Sequence, residues 1–364
     1  MEKKIKIALC GMRGHLDYFG ELINSYPESE VIAVWDPDPE TAAKAAALFP
    51  GCAACTDYDA LLQIPDLSAV VITYHNVWHK ELACKAAAVG KHIFLEKPLA
   101  SSLDDAIAIR DAVQSAGIKF YMTDPFCNGA TAYVKNFIRS GKLGKLLSVR
   151  IRFSNNSRVF RAPSPEDVRI EVGRMGGGMM TDTGGHPLHV LHYLLGKPER
   201  VYAQFAWRSA DDKAAGNEEY IAMLMQYPDD VTAIVESGMI SPGYTSGIEV
   251  NGTRGTIIQE GIHDWHTPVR YRLTDLVPPD TGTGRPQDRS AWVTVDPADL
   301  PQDPDDHARY FVRMIAEDLP NDGVGTDVRS LHGMNLQDAM ELMEIREAIY
   351  ESARTGNSAP VPTV

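Results

Sequence analysis

Short apolar strands alternate with helical stretches through the first third of this 364-residue chain. The strands are predicted at Lys4–Cys10, Glu30–Trp35, Ala69–Thr73, His92–Leu95 and Lys119–Met122. Strands that alternate with helices at this spacing are typical of a parallel, doubly wound sheet. The pattern therefore predicts an α/β domain over residues 1–124.

The pattern changes near residue 124, where longer strands with period-two alternation begin. These strands are predicted at Leu146–Phe153, Arg200–Trp207, Glu219–Gln226, Thr232–Met239 and Gly247–Asn251. Alternation of this kind indicates an antiparallel sheet with one buried face. We therefore predict a second, α+β domain over residues 125–364, with its last helix as a candidate to pack back on the first domain.

Composition and charge exclude several classes of function. A formal charge of −14, with no cluster of Lys and Arg to offset it, argues against a nucleic-acid partner. No apolar run approaches the roughly 18 residues that span a bilayer, and the N-terminus lacks a signal-peptide pattern. Five cysteines without framework spacing, including Cys52 and Cys55 in a CxxC, favour reduced, inert thiols and a cytoplasmic location.

The apolar strand at residues 93–95 ends in Glu96, Lys97 and Pro98. It delivers Lys97 to the carboxyl edge of the sheet, and ligands of open α/β sheets bind at that edge. Lys97 is therefore the first candidate for chemistry. A plain edge cation paired with Glu96 is the alternative.

The first turn shows part of a dinucleotide fingerprint, in Gly11, Met12, Arg13 and Gly14. Asp36 strengthens this interpretation, because a carboxylate after the second strand can accept hydrogen bonds from an adenosine ribose. The same carboxylate would repel a 2′-phosphate, so NAD is favoured over NADP. An ordinary βα turn and a helix-capping role for Asp36 are the alternatives.

Several motifs follow one another along the chain: Tyr74-His75-Asn76-Val77-Trp78-His79, Glu96-Lys97-Pro98, Gly141-Lys142-Leu143-Gly144, Gly176–His186 and Asn251–Thr256. Together they resemble the Gfo/Idh/MocA oxidoreductases, which include glucose–fructose oxidoreductase and inositol dehydrogenases. The resemblance covers nearly the whole chain. It implies an N-terminal Rossmann domain and a C-terminal α+β domain with a large open, mostly antiparallel sheet. It also implies bound NAD(P) and oxidation of a secondary alcohol of a sugar or cyclitol.

The resemblance implies that Lys97, Asp182 and His186 are catalytic. An alcohol loses hydride only as its hydroxyl proton departs, so a base must lie within hydrogen-bond reach. His186 suits that role because imidazole titrates near neutral pH, while Lys97 can stabilise the developing alkoxide. Asp182 can orient the imidazole or hold a substrate hydroxyl. Further cofactor positions implied by the resemblance are Tyr74, His75, Asn76, His79, Glu96 and Lys97.

Asp182 and His186 are one helical turn apart, which would put both on one helix face. Pro187 favours a helix that starts near His186 and leaves Asp182 on the preceding turn. The run His186, His189 and His192 also suggests a metal site. Because this spacing spreads the three rings around a helix, we expect no metal.

Four residues are predicted to contact the substrate: Asp124, Arg158, His189 and Trp265. Asp124 follows the fifth strand, so it should reach the same crevice as Lys97. For Arg158 and Trp265, solvated surface and an oligomer contact are the alternatives. His189 lies three residues after His186, at a position where the family often has an aspartate. An imidazole there can donate or accept a hydrogen bond, but it is not a fixed anion as a carboxylate is.

The leading hypothesis is NAD-dependent oxidation of a sugar, a glycoside or an inositol, with the 3-hydroxyl of a glucosyl unit as one candidate. An NAD-retaining glycosidase that works by transient oxidation and elimination is the alternative. A non-catalytic dinucleotide sensor is an alternative of another class, and intact Lys97, Asp182 and His186 argue against it. Long alternating strands with few helices to cover them favour a homo-oligomer.

Overall fold

The computed structural model describes residues 4–11, 16–124, 126–156, 175–241, 245–261, 267–277, 287–302, 305–321 and 333–364. The strands, in chain order, are β1 (Ile5–Cys10), β2 (Ser29–Trp35), β3 (Ala53–Cys55), β4 (Leu67–Ile72), β5 (His92–Leu95), β6 (Phe120–Thr123), β7 (Leu146–Ser154), β8 (Arg200–Ala206), β9 (Tyr220–Gln226), β10 (Thr232–Gly238), β11 (Thr245–Gly252), β12 (Gly255–Glu260), β13 (Val269–Leu273), β14 (Leu276–Val277), β15 (Gln287–Asp288), β16 (Val293–Thr294), β17 (Gly333–Met334) and β18 (Ala359–Pro360). The α-helices are α1 (Leu16–Ser25), α2 (Pro39–Ala46), α3 (Tyr58–Leu62), α4 (His79–Ala88), α5 (Leu103–Ala116), α6 (Gly129–Arg139), α7 (Met179–Asp182), α8 (Gly185–Leu195), α9 (Ala210–Ala214), α10 (His307–Ala316) and α11 (Leu336–Thr355).

The first sheet holds seven strands within the described residues, in the order β17-β6-β5-β4-β1-β2-β3. Neighbouring strands run parallel, except that β17 pairs antiparallel with β6. Its central strands are buried on both faces, because helices cover a parallel sheet on both sides. The predicted parallel, doubly wound N-terminal domain is confirmed. The short strand β3 extends it beyond the predicted strands.

The second sheet holds nine strands within the described part of the chain, in the order β16-β13-β12-β11-β7-β10-β9-β8-β18. Neighbours run antiparallel, except that β7 and β10 are parallel. In β9, Ile221, Met223 and Met225 face the core, while Ala222 and Leu224 face outward. The predicted large, mostly antiparallel sheet with one buried face is confirmed. It extends beyond the five predicted strands through β12, β13, β16 and β18.

The chain after residue 305 returns to the first domain. Helix α10 packs on α1 and β1, β17 joins the first sheet, and α11 contacts α5, α8 and β8. Arg309 forms a bidentate pair with Glu28 at 2.6 and 2.9 Å. Buried Arg346 donates to the carbonyl oxygens of Ala100 and Ser101 at 3.1 and 2.9 Å. The segment that follows Lys97 is therefore anchored by a helix near the other end of the chain.

Two further observations concern the membrane-spanning segments and the cysteines that were considered in the sequence. No helix in the described ranges is long and apolar enough to cross a membrane. All five cysteines are free thiols. Burial, with a contribution from Cys55, raises the pKa of the Cys52 thiol to about 11, so Cys52 carries little thiolate at neutral pH.

The return of α10 to the first domain predicts the effect of one core substitution. Phe311 is fully buried and packs edge-on against Phe94 with ring centroids 5.6 Å apart. Phe311→Ala should lower the free energy of unfolding by about 3–5 kcal/mol, because it leaves a cavity between α10 and the first sheet. Chemical denaturation measures this loss. Trp292→Ala, which removes an exposed ring, should cost about 1 kcal/mol or less, and equal losses would contradict the packing described.

Candidate active site

Lys97 leaves the carboxyl end of β5 and reaches across to the second domain. Its Nζ donates to the carbonyl oxygen of Asp182 at 2.8 Å and to Oδ1 of Asp182 at 3.1 Å. The peptide bond between Lys97 and Pro98 is cis. Because an ammonium carries three N–H donors, one remains beyond the two that these described contacts use.

Charge keeps Lys97 protonated. Burial alone would lower the pKa of its ammonium, but the carboxylates of Asp182 and Glu96 outweigh burial and raise the pKa above its usual value. Lys97 is therefore a hydrogen-bond donor and a fixed positive charge at neutral pH, and not a base. Glu96 Oε2 accepts a hydrogen bond from the backbone N–H of Lys97 at 2.5 Å, whereas the Lys97 ammonium goes to Asp182.

Asp182 ends the short helix α7, whose first N–H groups are bound by a buried carboxylate. Glu218 accepts hydrogen bonds from the N–H groups of Gly178 at 3.0 Å and Met180 at 2.9 Å. It also accepts one from the Tyr350 hydroxyl at 2.8 Å. Glu218 therefore holds the turn that presents Asp182 to Lys97.

The triple glycine before α7 is required by a close approach. The φ of Gly177 is +143°, and a Cβ at that position would overlap the Tyr350 hydroxyl. Neither Glu218 nor Tyr350 was predicted from the sequence. The one available signal was an acidic pair directly ahead of β9, and such pairs are common on protein surfaces.

His186 lies in the first turn of α8, where Asp124 holds its ring. Nδ1 of His186 is 3.1 and 3.0 Å from the two carboxylate oxygens of Asp124. The ring of Phe126 packs beside it, with centroids 4.0 Å apart. A hydrogen on Nδ1 directed at the carboxylate leaves the lone pair on Nε2, which is then the nitrogen that can accept a proton.

The protein contacts of the two aspartates were not predicted. Asp124 was predicted to contact the substrate, and Asp182 to orient the imidazole or hold a substrate hydroxyl, and these substrate contacts stay predictions. In the structure Asp124 is buried against His186, and Asp182 binds Lys97. The helix starts at Gly185, as Pro187 indicated, so Asp182 lies on the preceding turn.

A second histidine also contacts Asp124. Nδ1 of His189 lies 3.5 Å from Oδ1 of Asp124, and Nε2 lies 4.0 Å from Sγ of Cys127. Both ring nitrogens of His189 thus lie near protein groups, although Nδ1 is buried without a hydrogen-bond partner among the described residues. Its contact with the substrate stays a prediction. His192 pairs with Glu341 at 2.6 Å. No group of three or more metal-binding side chains converges within the residues that the structure describes.

The two histidines keep Asp124 ionised. Burial alone would raise the pKa of the Asp124 carboxyl, but His186 and His189 together lower the pKa below its usual range. Asp124 also contributes to the raised pKa of Lys97. The Lys97 ammonium and the His186 imidazole are 89 positions apart in the sequence. The charge of one carboxylate, that of Asp124, nevertheless acts on both.

The described part of the first turn fits a dinucleotide. The φ of Gly11 is +91°, and a Cβ there would lie 2.5 Å from the Cβ of Tyr74, so only glycine allows this approach. Asp36 is buried at the end of β2 and accepts a hydrogen bond from the N–H of Asp38 at 3.0 Å. Asp38 itself caps α2. The predicted cofactor residues Met12, Arg13 and Gly14 lie outside the described residues.

The turn that follows β4 lies at the same edge of the sheet as the first turn. Asn76 donates to the carbonyl oxygen of Met175 at 3.0 Å, while its Oδ1 is buried without a hydrogen-bond partner among the described residues. An orphaned buried acceptor fits a donor on a bound cofactor. Two ring nitrogens of His79 face the carbonyl oxygens of Pro98 and Tyr74 at 2.9 and 3.0 Å. His79 therefore links the two turns that contain Tyr74 and Pro98, and its contact with a cofactor stays a prediction.

The remaining predicted residues divide into two groups. The rings of Tyr74 and His75 lie edge to face with centroids 5.1 Å apart, and Tyr74 lies next to Gly11. Arg158 and Trp265, the other predicted substrate contacts, lie outside the described residues.

Comparisons with known proteins give one consistent result. Residues 5–123 match the model of an oxidoreductase family with an NAD-binding Rossmann fold, and residues 131–258 match the GFO/IDH/MocA C-terminal domain. D-xylose 1-dehydrogenase (NADP(+)) 2 of Haloferax volcanii is 28% identical over 90% of this chain and 91% of its own. The scyllo-inositol 2-dehydrogenase (NAD(+)) of Bacillus subtilis is 27% identical over 74% of this chain and 78% of its own. The solved structure of a levoglucosan dehydrogenase with NADH and levoglucosan has a TM-score of 0.77 at 22% identity, covering 99% of this chain and all of that one.

The support that Glu218 gives to the site predicts a loss of stability. Glu218→Ala leaves the buried N–H groups of Gly178 and Met180 without their acceptor, so the free energy of unfolding should fall by about 3 kcal/mol or more. Thermal and chemical denaturation measure the loss. Glu351→Ala, which removes an exposed partner of Arg354, is the matched control and should change stability by about 0.5 kcal/mol or less. A Glu218 variant as stable as this control would contradict the role of the buried carboxylate.

Proposed function

The chain belongs to the GFO/IDH/MocA family of NAD-binding oxidoreductases, and we propose that it oxidises a secondary hydroxyl of a sugar, a glycoside or a cyclitol. One observation carries the proposal. Lys97 binds Asp182 and His186 binds Asp124, and the charge of Asp124 acts on both the ammonium and the imidazole. An ammonium and an oriented imidazole are the two groups that oxidation of an alcohol needs.

In the proposed reaction His186 takes the hydroxyl proton at Nε2, because Asp124 engages Nδ1. Lys97 donates its remaining N–H to the reacting oxygen and stabilises the negative charge that develops there. Asp182 keeps the ammonium in place through its two contacts. Bound NAD supplies the hydride acceptor, and the alcohol carbon becomes a ketone.

Asp36 supports a preference for NAD over NADP. Its carboxylate lies at the end of β2, where the ribose of the adenosine binds in Rossmann domains. A 2′-phosphate there would meet a buried anion. The Oδ1 of Asn76, which has no hydrogen-bond partner in the described ranges, offers a further acceptor to the cofactor.

Replacing the Lys97 ammonium tests the enzymatic role. Lys97→Met should lower kcat by about 100-fold or more, because the developing alkoxide loses its charged donor. NAD affinity, measured by calorimetry, should change little. Activity is measured as NADH absorbance over a panel of inositols, free sugars and glucosides.

Lys85→Met, on the exposed surface of the same domain, is the control and should retain activity. Unchanged activity in Lys97→Met would contradict the catalytic assignment and favour a non-catalytic sensor. Cleavage of a glucoside without net NADH would instead support the NAD-retaining glycosidase.

We also propose a homo-oligomer formed through the open face of the second sheet. Tyr202, Leu224 and Ile234 lie side by side in neighbouring strands and are each more than a third exposed. A second copy of the chain would cover this apolar row, which a monomer leaves in water.

A charge in the middle of this row tests the oligomer. Ile234→Asp should shift the molar mass in light scattering from an oligomer to a monomer of about 40 kDa, because the carboxylate would be buried without a partner. Val89→Asp, at an exposed apolar position of the first domain, should leave the mass unchanged. A wild-type protein that is already monomeric would overturn the proposal.

A further inference from the structure

The side chain of Asn76 uses one of its two polar atoms and leaves the other without a partner. Its Nδ2 donates to the carbonyl oxygen of Met175 at 3.0 Å. Because a carbonyl oxygen only accepts hydrogen bonds, the amide nitrogen of Asn76 is the atom that faces Met175. The other atom, Oδ1, is buried and has no hydrogen-bond partner in the part of the chain that the structure describes. Most buried acceptors in folded proteins have a donor, so this oxygen fits a donor that a ligand supplies.

The turn that carries Asn76 borders the first turn of the NAD-binding domain. The Thr73 hydroxyl, directly after β4, donates to the carbonyl oxygen of Gly11 at 2.6 Å. Tyr74 packs on Gly11 from the same turn. In open α/β sheets, ligands bind outside the carboxyl ends of the strands. Asn76 therefore lies at the edge where this domain receives its dinucleotide.

Met175, the residue that Asn76 holds, begins the segment that carries Asp182. Within this segment the hydroxyl of Thr181 donates to the carbonyl oxygen of Gly176 at 3.1 Å. The buried carboxylate that supports the site binds two further N–H groups of the same segment. The segment is thus closed on itself, so a displacement of Met175 is passed on to Asp182 and to the Lys97 ammonium that Asp182 binds.

We propose that Asn76 is a positioning residue that couples the bound dinucleotide to the segment carrying Asp182. Its Nδ2 holds Met175, and its Oδ1 accepts a hydrogen bond from an N–H or O–H group of the dinucleotide. A donor on Oδ1 fixes the amide from both sides, so the segment is held more firmly with the dinucleotide than without it. The inference rests on the NAD-binding domain and not on the proposed oxidation.

Such a coupling acts in both directions. The dinucleotide stabilises the closed segment, and the closed segment raises the affinity for the dinucleotide by the same factor, typically about 5- to 150-fold. The pair formed by Lys97 and Asp182 is then held firmly once the dinucleotide is bound. A substrate that arrives after the dinucleotide therefore meets a site that is already in place.

Hydrogen exchange, measured by mass spectrometry on peptides that cover residues 176–182, tests the coupling. In the wild-type protein, saturating NAD should slow exchange there by about fivefold or more. Asn76→Asp keeps an acceptor but loses the donor to Met175. This variant should still bind NAD in calorimetry, but NAD should no longer slow exchange in residues 176–182. Slowing of wild-type size in Asn76→Asp would overturn the proposal, because a merely structural Asn76 would change exchange equally with and without NAD.

The matched control removes a different asparagine of the same domain. Asn24 accepts a hydrogen bond from the N–H of Val31 at 2.8 Å, near the amino end of β2 and so at the opposite edge of the sheet. Asn24→Ala should keep the full effect of NAD on residues 176–182. Loss of the effect in this control as well would count against a specific role for Asn76.

A second measurement uses the wild-type protein, in case Asn76→Asp does not fold or binds no NAD. In a nitrogen-15 NMR titration with NAD, the side-chain amide of Asn76 and the backbone amides of Gly176 and Gly177 should respond with one common Kd. Glycine amides that stay unchanged at saturating NAD would overturn the proposal. Neither measurement needs a substrate, so coupling in a protein that oxidises no polyol would refute the proposed function alone.

Discussion

The contact between Lys97 and Asp182 joins the two domains at the point where the chemistry is proposed. Lys97 follows strand β5 of the first sheet, and Asp182 ends a short helix of the second domain. Each side chain is 21% exposed, so the pair is largely shielded from water and still accessible to a ligand. Because neither domain alone holds both partners, the site forms only when the domains are docked.

Buried carboxylates provide the support for this site. Asp124 at the end of β6 holds the His186 ring, and Glu218 ahead of β9 holds the turn before Asp182. An ionised carboxylate in a protein interior is costly unless donors surround it. Imidazoles serve that purpose for Asp124, while backbone N–H groups and the Tyr350 hydroxyl serve it for Glu218. The donors that stabilise these anions are therefore the same groups that fix the geometry of the site.

Most of the fold was predictable, and the exceptions have physical causes. The strands of the first sheet are continuous apolar runs, which are readable in any sequence. Strand β12 escaped prediction because buried Gln259 interrupts its apolar face, where it accepts a hydrogen bond from Thr131. Strand β3 has three residues and no buried face. An element that is stabilised by tertiary contacts, and not by its own residue pattern, is difficult to predict from the sequence.

The sequence by itself determined the two-domain class, the position of Lys97 at a sheet edge and the start of a helix near His186, because these follow from local periodicity and from the restrictions of proline. Only the tertiary structure decided which aspartate serves which partner. It also brought His189 to Asp124 and Glu218 to the glycine turn. Such assignments depend on the distance between side chains from remote elements, and no pattern along one chain encodes that distance.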